Sequence, residues 1–218
     1  MKKYKLVIFD LDGTLIDAYP AIAEGINQML KSLGYPQQKP KGIKKSVGWG
    51  VERLIHPLVK EKDYPRAVEI YLKSQETLLP KMAKLLPGAK EVLKKLKGEG
   101  YKLAVASNRP SGFSTFLLKF LGIAQYFSFV LCADQINSYK PEAKILSLIM
   151  EKLRVSPGET LYVGDMALDA ETGKRAGVKT IIVLTGSSSK AEVLAAEPFK
   201  VIKQLSRLLL LLNKNTLL

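Results

Sequence analysis

The sequence predicts an α/β protein: a three-layer core, in which a parallel sheet carries helices on both faces, with an all-helical segment inserted near its start. Three observations carry this reading. Short apolar runs recur along the second half of the chain, each following a stretch with helical spacing. One further run, Leu6-Val7-Ile8-Phe9, opens the chain and is separated from the others by a long segment with no convincing strand. Polar or acidic residues stand directly after several runs, at Asp10, Ser107 and Asp165, where the strands of such a sheet would end.

Leu6 to Phe9 is too short for a typical helix and reads as a strand buried on both faces. It runs into Asp10-Leu11-Asp12-Gly13-Thr14, where Gly13 permits a turn that a Cβ would obstruct. Two carboxylates so close repel one another unless a cation lies between them or one keeps its proton. A turn or helix-cap role is the plain alternative for Asp-x-Asp-Gly. A calcium loop is excluded, because the glycine comes too early and Ala21 stands where the closing Glu would be.

Residues 18–33 form the next predicted helix, with Ala21, Ile22, Ile26, Met29, Leu30 and Leu33 near helical spacing and Gly34 ending it. Residues 35–46, rich in Pro and Lys, read as a loop, and further helices are expected over residues 51–60 and 65–78. Residues 17–83 are therefore expected to be an all-helical insertion in a core made of residues 1–16 and 84–218. Within the core, a helix over residues 89–97 buries Ala89, Val92, Leu93 and Leu96 and precedes a strand over 102–106. Helices over 112–121, 142–153 and 167–176 alternate with strands over 127–131, 160–163 and 180–184. Residues 201–212 read as a terminal helix packed on the core, and residues 186–190 as a plain loop lacking the phosphate-binding P-loop pattern.

The chain has 218 residues and a formal charge of +14, spread along its length as solvated surface that can speed encounter with anions. It has no arginine-rich tail, nucleic-acid motif or aromatic stacking signature, so no specific nucleic-acid partner is expected. Cys132 is the one cysteine, which excludes an internal disulfide and fits a reducing compartment. The basic start is not a signal peptide, because Asp10 cuts its apolar run short, and the five leucines at 208–212 are far short of a membrane span. A cytoplasmic protein with no membrane partner, monomeric or homodimeric, is expected.

Strand ends of a parallel sheet share one rim, so Asp10, Asp12, Ser107, Asn108 and Asp165 should converge there. Lys140-Pro141 leads into another helix and can bring an ammonium to the same place. Three carboxylates, a hydroxyl, an amide and a lysine suit a phosphate together with a hard divalent cation such as Mg²⁺.

Asp10-Leu11-Asp12-Gly13-Thr14, Ser107-Asn108, Lys140-Pro141 and Gly164-Asp165 with Asp169 resemble, in order, the four motifs of the haloacid dehalogenase-like hydrolase superfamily. The resemblance spans essentially the whole chain and implies a Rossmann-like parallel core with a helical cap. Val47-Gly48-Trp49-Gly50 resembles a segment of phosphoglycolate phosphatase-like members.

The resemblance implies an Mg²⁺-dependent phosphatase acting on a small anionic phosphorylated metabolite, phosphoglycolate foremost. Asp10 would be the nucleophile and Asp12 the acid and base. Asp10, Asp165 and the backbone carbonyl of Asp12 would hold Mg²⁺. Ser107, Asn108 and Lys140 would bind phosphate, and Asp169 would support the metal shell or orient Lys140. Trp49 is either cap core or a wall facing substrate, and Arg53 and Lys45 beside it could meet a substrate carboxylate. His56, in the insertion, reads as a structural or surface residue. Two departures look minor: Arg109-Pro110 where Lys-Pro is frequent, and Met166 where a small hydroxyl residue is common.

Three other readings stay open at this point. A sugar-phosphate mutase (β-phosphoglucomutase-like) would share nucleophile and acid. A metal-independent haloacid dehalogenase would have no use for Asp12. A receiver-type phospho-acceptor would be shorter and would lack the insertion.

Overall fold

The structure, a computed structural model, describes residues 4–213. The basic start at residues 1–3 lies outside the described residues. Strand β1 (Leu6–Phe9) leads into a two-residue strand β2 (Ile16–Asp17). Helices α1 (Tyr19–Ser32), α2 (Pro40–Ser46), α3 (Val51–Ile55) and α4 (Tyr64–Met82) follow. Strand β3 (Lys84–Leu85) pairs antiparallel with β2, so the two ends of the segment carrying α1 to α4 are held side by side. Then come α5 (Ala89–Gly98), β4 (Lys102–Ser107), α6 (Ser111–Phe120) and β5 (Phe129–Cys132). The chain ends its described course with α7 (Lys144–Leu153), β6 (Thr160–Gly164), α8 (Ala167–Arg175), β7 (Lys179–Val183), α9 (Lys190–Ala195), β8 (Lys200–Ile202) and α10 (Arg207–Asn213).

The six-stranded sheet has the order β5-β4-β1-β6-β7-β8 and is parallel throughout. Strand β1 is central: Phe9 stands level with Val105 of β4 and Val163 of β6. Period-two alternation sends Val7, Phe9, Leu103, Val105, Leu161 and Val163 into one apolar layer, which continues into α1 and α4. Leu6, Ile8, Ala104, Ala106 and Tyr162 face the opposite layer, against Ile145, Leu146 and Ile149 of α7. All four residues of β1 are fully buried, which is why its sequence is a continuous apolar run rather than an alternating one.

Five expectations need correction. Residues 35–46 are not all loop, since Pro40 occupies the first turn of α2, where a missing N–H costs nothing, and Ile43 is buried. The helix expected over residues 51–60 stops at Ile55 and continues only as a 3₁₀ turn, His56–Leu58, because Pro57 cannot donate to the preceding turn. Val201 and Ile202 are not helical: they pair with β7 as the sheet's edge strand, and the terminal helix starts only at Arg207. The serine run is not a plain loop to its end, because Ser189 accepts from the Glu192 N–H and starts α9. Helix α4 runs past its expected end through Pro80, its last turn held by buried Leu78 and Leu79.

Candidate active site

The rim above the C-terminal ends of β1, β4 and β6 gathers side chains from distant parts of the chain. Asp10 follows β1 directly, its N–H bonded to the Val163 carbonyl at 2.9 Å, and Asp165 follows β6. Carboxylate oxygens of Asp10, Asp165 and Asp169 all lie within 4.8 Å of one another, and all three residues are buried. Lys140 Nζ sits 2.9 Å from Asp10 Oδ1 and 2.7 Å from Asp169 Oδ1. Asp169, in the first turn of α8, is held from every side. Its Oδ2 accepts from the backbone N–H groups of Asp165 and Met166, and its Oδ1 accepts from the Tyr162 hydroxyl at 2.6 Å. Asp165 in turn accepts from Thr14 Oγ1 at 3.0 Å and from the Tyr19 hydroxyl at 3.3 Å. Gly13 and Gly186 close around it, and a Cβ on either would run into the Asp165 carboxylate.

Burial is the main force on these charges. It pushes the Asp10 carboxyl up to about 7, with Asp169 and Asp12 adding to the rise and Lys140 opposing it. Asp165 is driven well above the ordinary carboxylate range by burial and then by Asp169 and Asp10. Burial alone would weaken the Lys140 ammonium, but the Asp10 and Asp169 carboxylates outweigh it and hold Lys140 above its ordinary value. Three buried acids thus share one ammonium, and the donor set is oxygen only. That composition fits a hard divalent cation.

Asp12 does not join the acidic cluster. Its two oxygens accept from Arg109 Nε and Nη2, each at 2.8 Å, in a two-pronged pair. The repulsion expected between Asp10 and Asp12 is therefore relieved by two separate cations, Lys140 and Arg109. Arg109 is the principal residue that the sequence reading passed over as a minor departure. Its one sequence signal is position, directly after Ser107-Asn108 at the end of β4. Thr14, Tyr19 and Tyr162 were also missed, since only the fold brings them to the acids.

Ser107 Oγ accepts from the Arg109 N–H at 3.2 Å. The Asn108 side chain clasps the Lys140 peptide, its Oδ1 accepting from Lys140 N at 2.9 Å, while Nδ2 donates to the carbonyl of Gly48 at 2.9 Å. Asn108 therefore ties the segment ahead of α3 onto the core. Gly48 lies against Met166 so closely that a Cβ there would run into the thioether. A pocket opens beside Asp10, Asp12, Ser107 and Arg109, roofed by Ile22, Val51 and Leu54. Gln75 also lines it, its Nε2 bonded to the Ala21 carbonyl and its Oε1 buried with no hydrogen-bond partner.

Trp49 and Arg53 do not line this pocket. They stack at 5.1 Å and border a neighbouring depression with Tyr139 and Pro141. Lys45 and His56 are exposed, and His56 meets Glu61 at 2.7 Å on the surface. Cys132 is buried, its thiol pushed up to about 11 by that burial, in keeping with a packing role. Among the described residues no helix is long and apolar enough to cross a membrane.

The sequence model of the haloacid dehalogenase-like hydrolase family matches residues 7–183, and this chain belongs to that family. It is similar to the phosphoglycolate phosphatase of Aquifex aeolicus (strain VF5), 35% identical over 182 residues that cover 84% of this chain and 85% of the relative. The phosphoglycolate phosphatase of Vibrio vulnificus (strain CMCP6) is 33% identical, covering 95% of this chain and 96% of the relative. The crystal structure of a predicted phosphoglycolate phosphatase from Haemophilus somnus 129pt superposes with a TM-score of 0.91 at 26% identity, over 97% of this chain and 99% of that one. Within the family the chain is a phosphoglycolate phosphatase-like member, and so an enzyme of the phosphoric monoester hydrolase class.

Proposed function

We propose that this chain is an Mg²⁺-dependent phosphatase that cleaves a small phosphorylated metabolite, phosphoglycolate foremost, through an aspartyl-phosphate on Asp10. The observation that carries this reading is the clustering of the Asp10, Asp165 and Asp169 carboxylates, with Lys140 paired to Asp10 and Asp169. The names of the relatives at 35% and 33% identity favour phosphoglycolate. Asp10, Asp165 and the backbone carbonyl of Asp12 would hold Mg²⁺. When bound, it would supply positive charge that offsets the repulsion between an incoming phosphate and the buried acids.

Asp10 attacks phosphorus, the ester oxygen leaves, and Asp12 gives that oxygen a proton. Asp12 then takes a proton from water, which attacks the same phosphorus and frees phosphate and Asp10. Lys140 keeps Asp10 ionised and aimed, and Asp169 positions Lys140. Ser107 and Asn108 donate to the phosphoryl oxygens, a task that requires the Asn108 Nδ2 group to redirect one of its two N–H donors, now on the carbonyls of Gly48 and Lys140. Residues 17–83 serve as the cap over a core of residues 1–16 and 84–218, with the β2–β3 ribbon as the crossing point and exclusion of bulk water as the gain.

The deciding assay is phosphate release from p-nitrophenyl phosphate with Mg²⁺ or with EDTA. Release that depends on Mg²⁺ is expected, and no release under either condition refutes the proposal. A second expectation concerns Asp12. Asp12→Asn should still form the phosphoenzyme but break it down slowly, lowering kcat by roughly 10²- to 10⁴-fold. Rapid-quench trapping of acid-stable phosphoprotein checks this, and full turnover would remove Asp12 from the proton transfers.

A further inference from the structure

We infer that Arg109 receives a second anionic group of the substrate, and that Asp12 holds that group's place while the pocket is empty of substrate. The inference rests on the phosphatase reading and deepens it by assigning the residue that selects, among phosphomonoesters, those of short hydroxy acids with a carboxylate close to the ester oxygen.

The Arg109 side chain is only 5% exposed, yet it lines the pocket beside Asp10 and Asp12. Its Nε and Nη2 meet the two Asp12 oxygens at 2.8 Å each, so the guanidinium already grips a carboxylate in the geometry it binds best. Among the described residues that line the pocket, Arg109 is the only cation. Ile22, Val51, Leu54 and Leu72 offer an anion nothing. Gln75 presents an unpartnered oxygen, which would repel one. Lys140 is committed to Asp10 and Asp169. A carboxylate entering this pocket has one cationic partner available, while Ser107 and Asn108 are taken up by the phosphoryl group.

That partner is also what keeps Asp12 from proton transfer, because both Asp12 oxygens are occupied by Arg109. A substrate carboxylate has the same shape and charge as the Asp12 side chain and can take its place in the fork. The guanidinium then stays paired throughout, which avoids leaving a buried charge alone. The released Asp12 carboxylate is free to turn toward the ester, take the proton carried by the phosphate monoester monoanion, and pass it to the leaving ester oxygen. Binding of the correct substrate and readiness of the acid are thereby one event. A phosphate ester without the second anion gains neither.

The test compares kcat/KM for 2-phosphoglycolate with that for ethyl phosphate, in which a methyl group replaces the carboxylate, in the Mg²⁺-loaded full chain. Intrinsic leaving-group differences cancel when the ratio is compared between variants. Wild type should prefer phosphoglycolate, and Arg109→Leu should cut that preference by roughly 100-fold. Arg109→Lys should cut it about tenfold, because a point charge cannot fork a carboxylate. If both substrates slow by the same factor in Arg109→Leu, so that the preference survives, Arg109 acts only through Asp12 and the inference is overturned. Should Arg109→Leu not fold, Arg109→Lys decides alone, and an unaltered preference overturns it. A wild type that cleaves ethyl phosphate without preferring phosphoglycolate sinks the inference and leaves the phosphatase reading standing. Cleavage of p-nitrophenyl phosphate but of neither ester overturns the inference alone, and cleavage of none of the three sinks the phosphatase reading itself.

Discussion

Asp10→Asn is expected to abolish turnover, lowering kcat by at least roughly 10⁴-fold, while the chain stays folded. The amide matches the carboxylate in size and can still accept from Lys140, which also keeps its 2.7 Å contact with Asp169. What it lacks is the anionic oxygen that would bond to phosphorus. The same substitution carries a signature in stability. Burial pushes the Asp10 carboxyl up to about 7, whereas in the unfolded chain it ionises near its ordinary value. Its favourable contribution is therefore complete only at acid pH and is lost as pH rises through about 7. Asn does not titrate. In EDTA, the stability of Asp10→Asn relative to wild type should accordingly shift in the variant's favour between pH 5 and pH 8. Urea unfolding at the two pH values, beside steady-state assays, checks both parts. Retained activity would remove Asp10 as nucleophile, and a stability difference independent of pH would show that its carboxyl is not strained by burial.

What the sequence discloses about this molecule depends on how local each determinant is. Leu6 to Phe9 is legible because a central parallel strand is apolar on both faces, and the acids after it are legible because strand ends are where the chain turns. Val201-Ile202 is not legible, because a three-residue edge strand exists only through pairing with Ile182 and Val183. Helix α2 hid behind a composition of Pro and Lys that reads as loop, although Pro40 is itself a helix-start residue. The site divides in the same way. Asp10, Lys140, Asp165 and Asp169 could be nominated from motif and order, and the fold brings them within reach of one another. Arg109 could not be ranked. Among so many basic residues, only burial and the fork on Asp12 separate it from the solvated ones. Trp49 and Arg53 show the converse: neighbours in sequence of the segment that touches Asn108, they face a different depression.

The second large effect belongs to Lys140, because its ammonium is the sole counter-charge touching the acidic cluster among the described residues. Lys140→Met preserves the apolar stem and removes the charge, leaving Asp10, Asp165 and Asp169 buried together with no cation beside them. Loss of one partner from a buried pair costs about 3–5 kcal/mol, and that is the destabilisation expected at pH 8 in EDTA. At pH 5 the loss should be smaller. Asp10 and Asp165 already stand above the ordinary carboxylate range in the native fold, and without Lys140 they rise further. They can therefore bind protons at pH 5 that the unfolded carboxylates, ionising near 4, largely do not. Protonation replaces the missing ammonium there, and raising the pH removes that remedy. Turnover should fall by roughly 10²- to 10³-fold even in saturating Mg²⁺, since Asp10, the proposed nucleophile, would have lost the group that orients it. Mg²⁺ should nonetheless restore more stability to the variant than to wild type, because it is then the only cation facing three carboxylates. A loss of stability equal at both pH values, and unmoved by Mg²⁺, would mean that Lys140 contributes packing alone and that the cluster is not built around a shared positive charge.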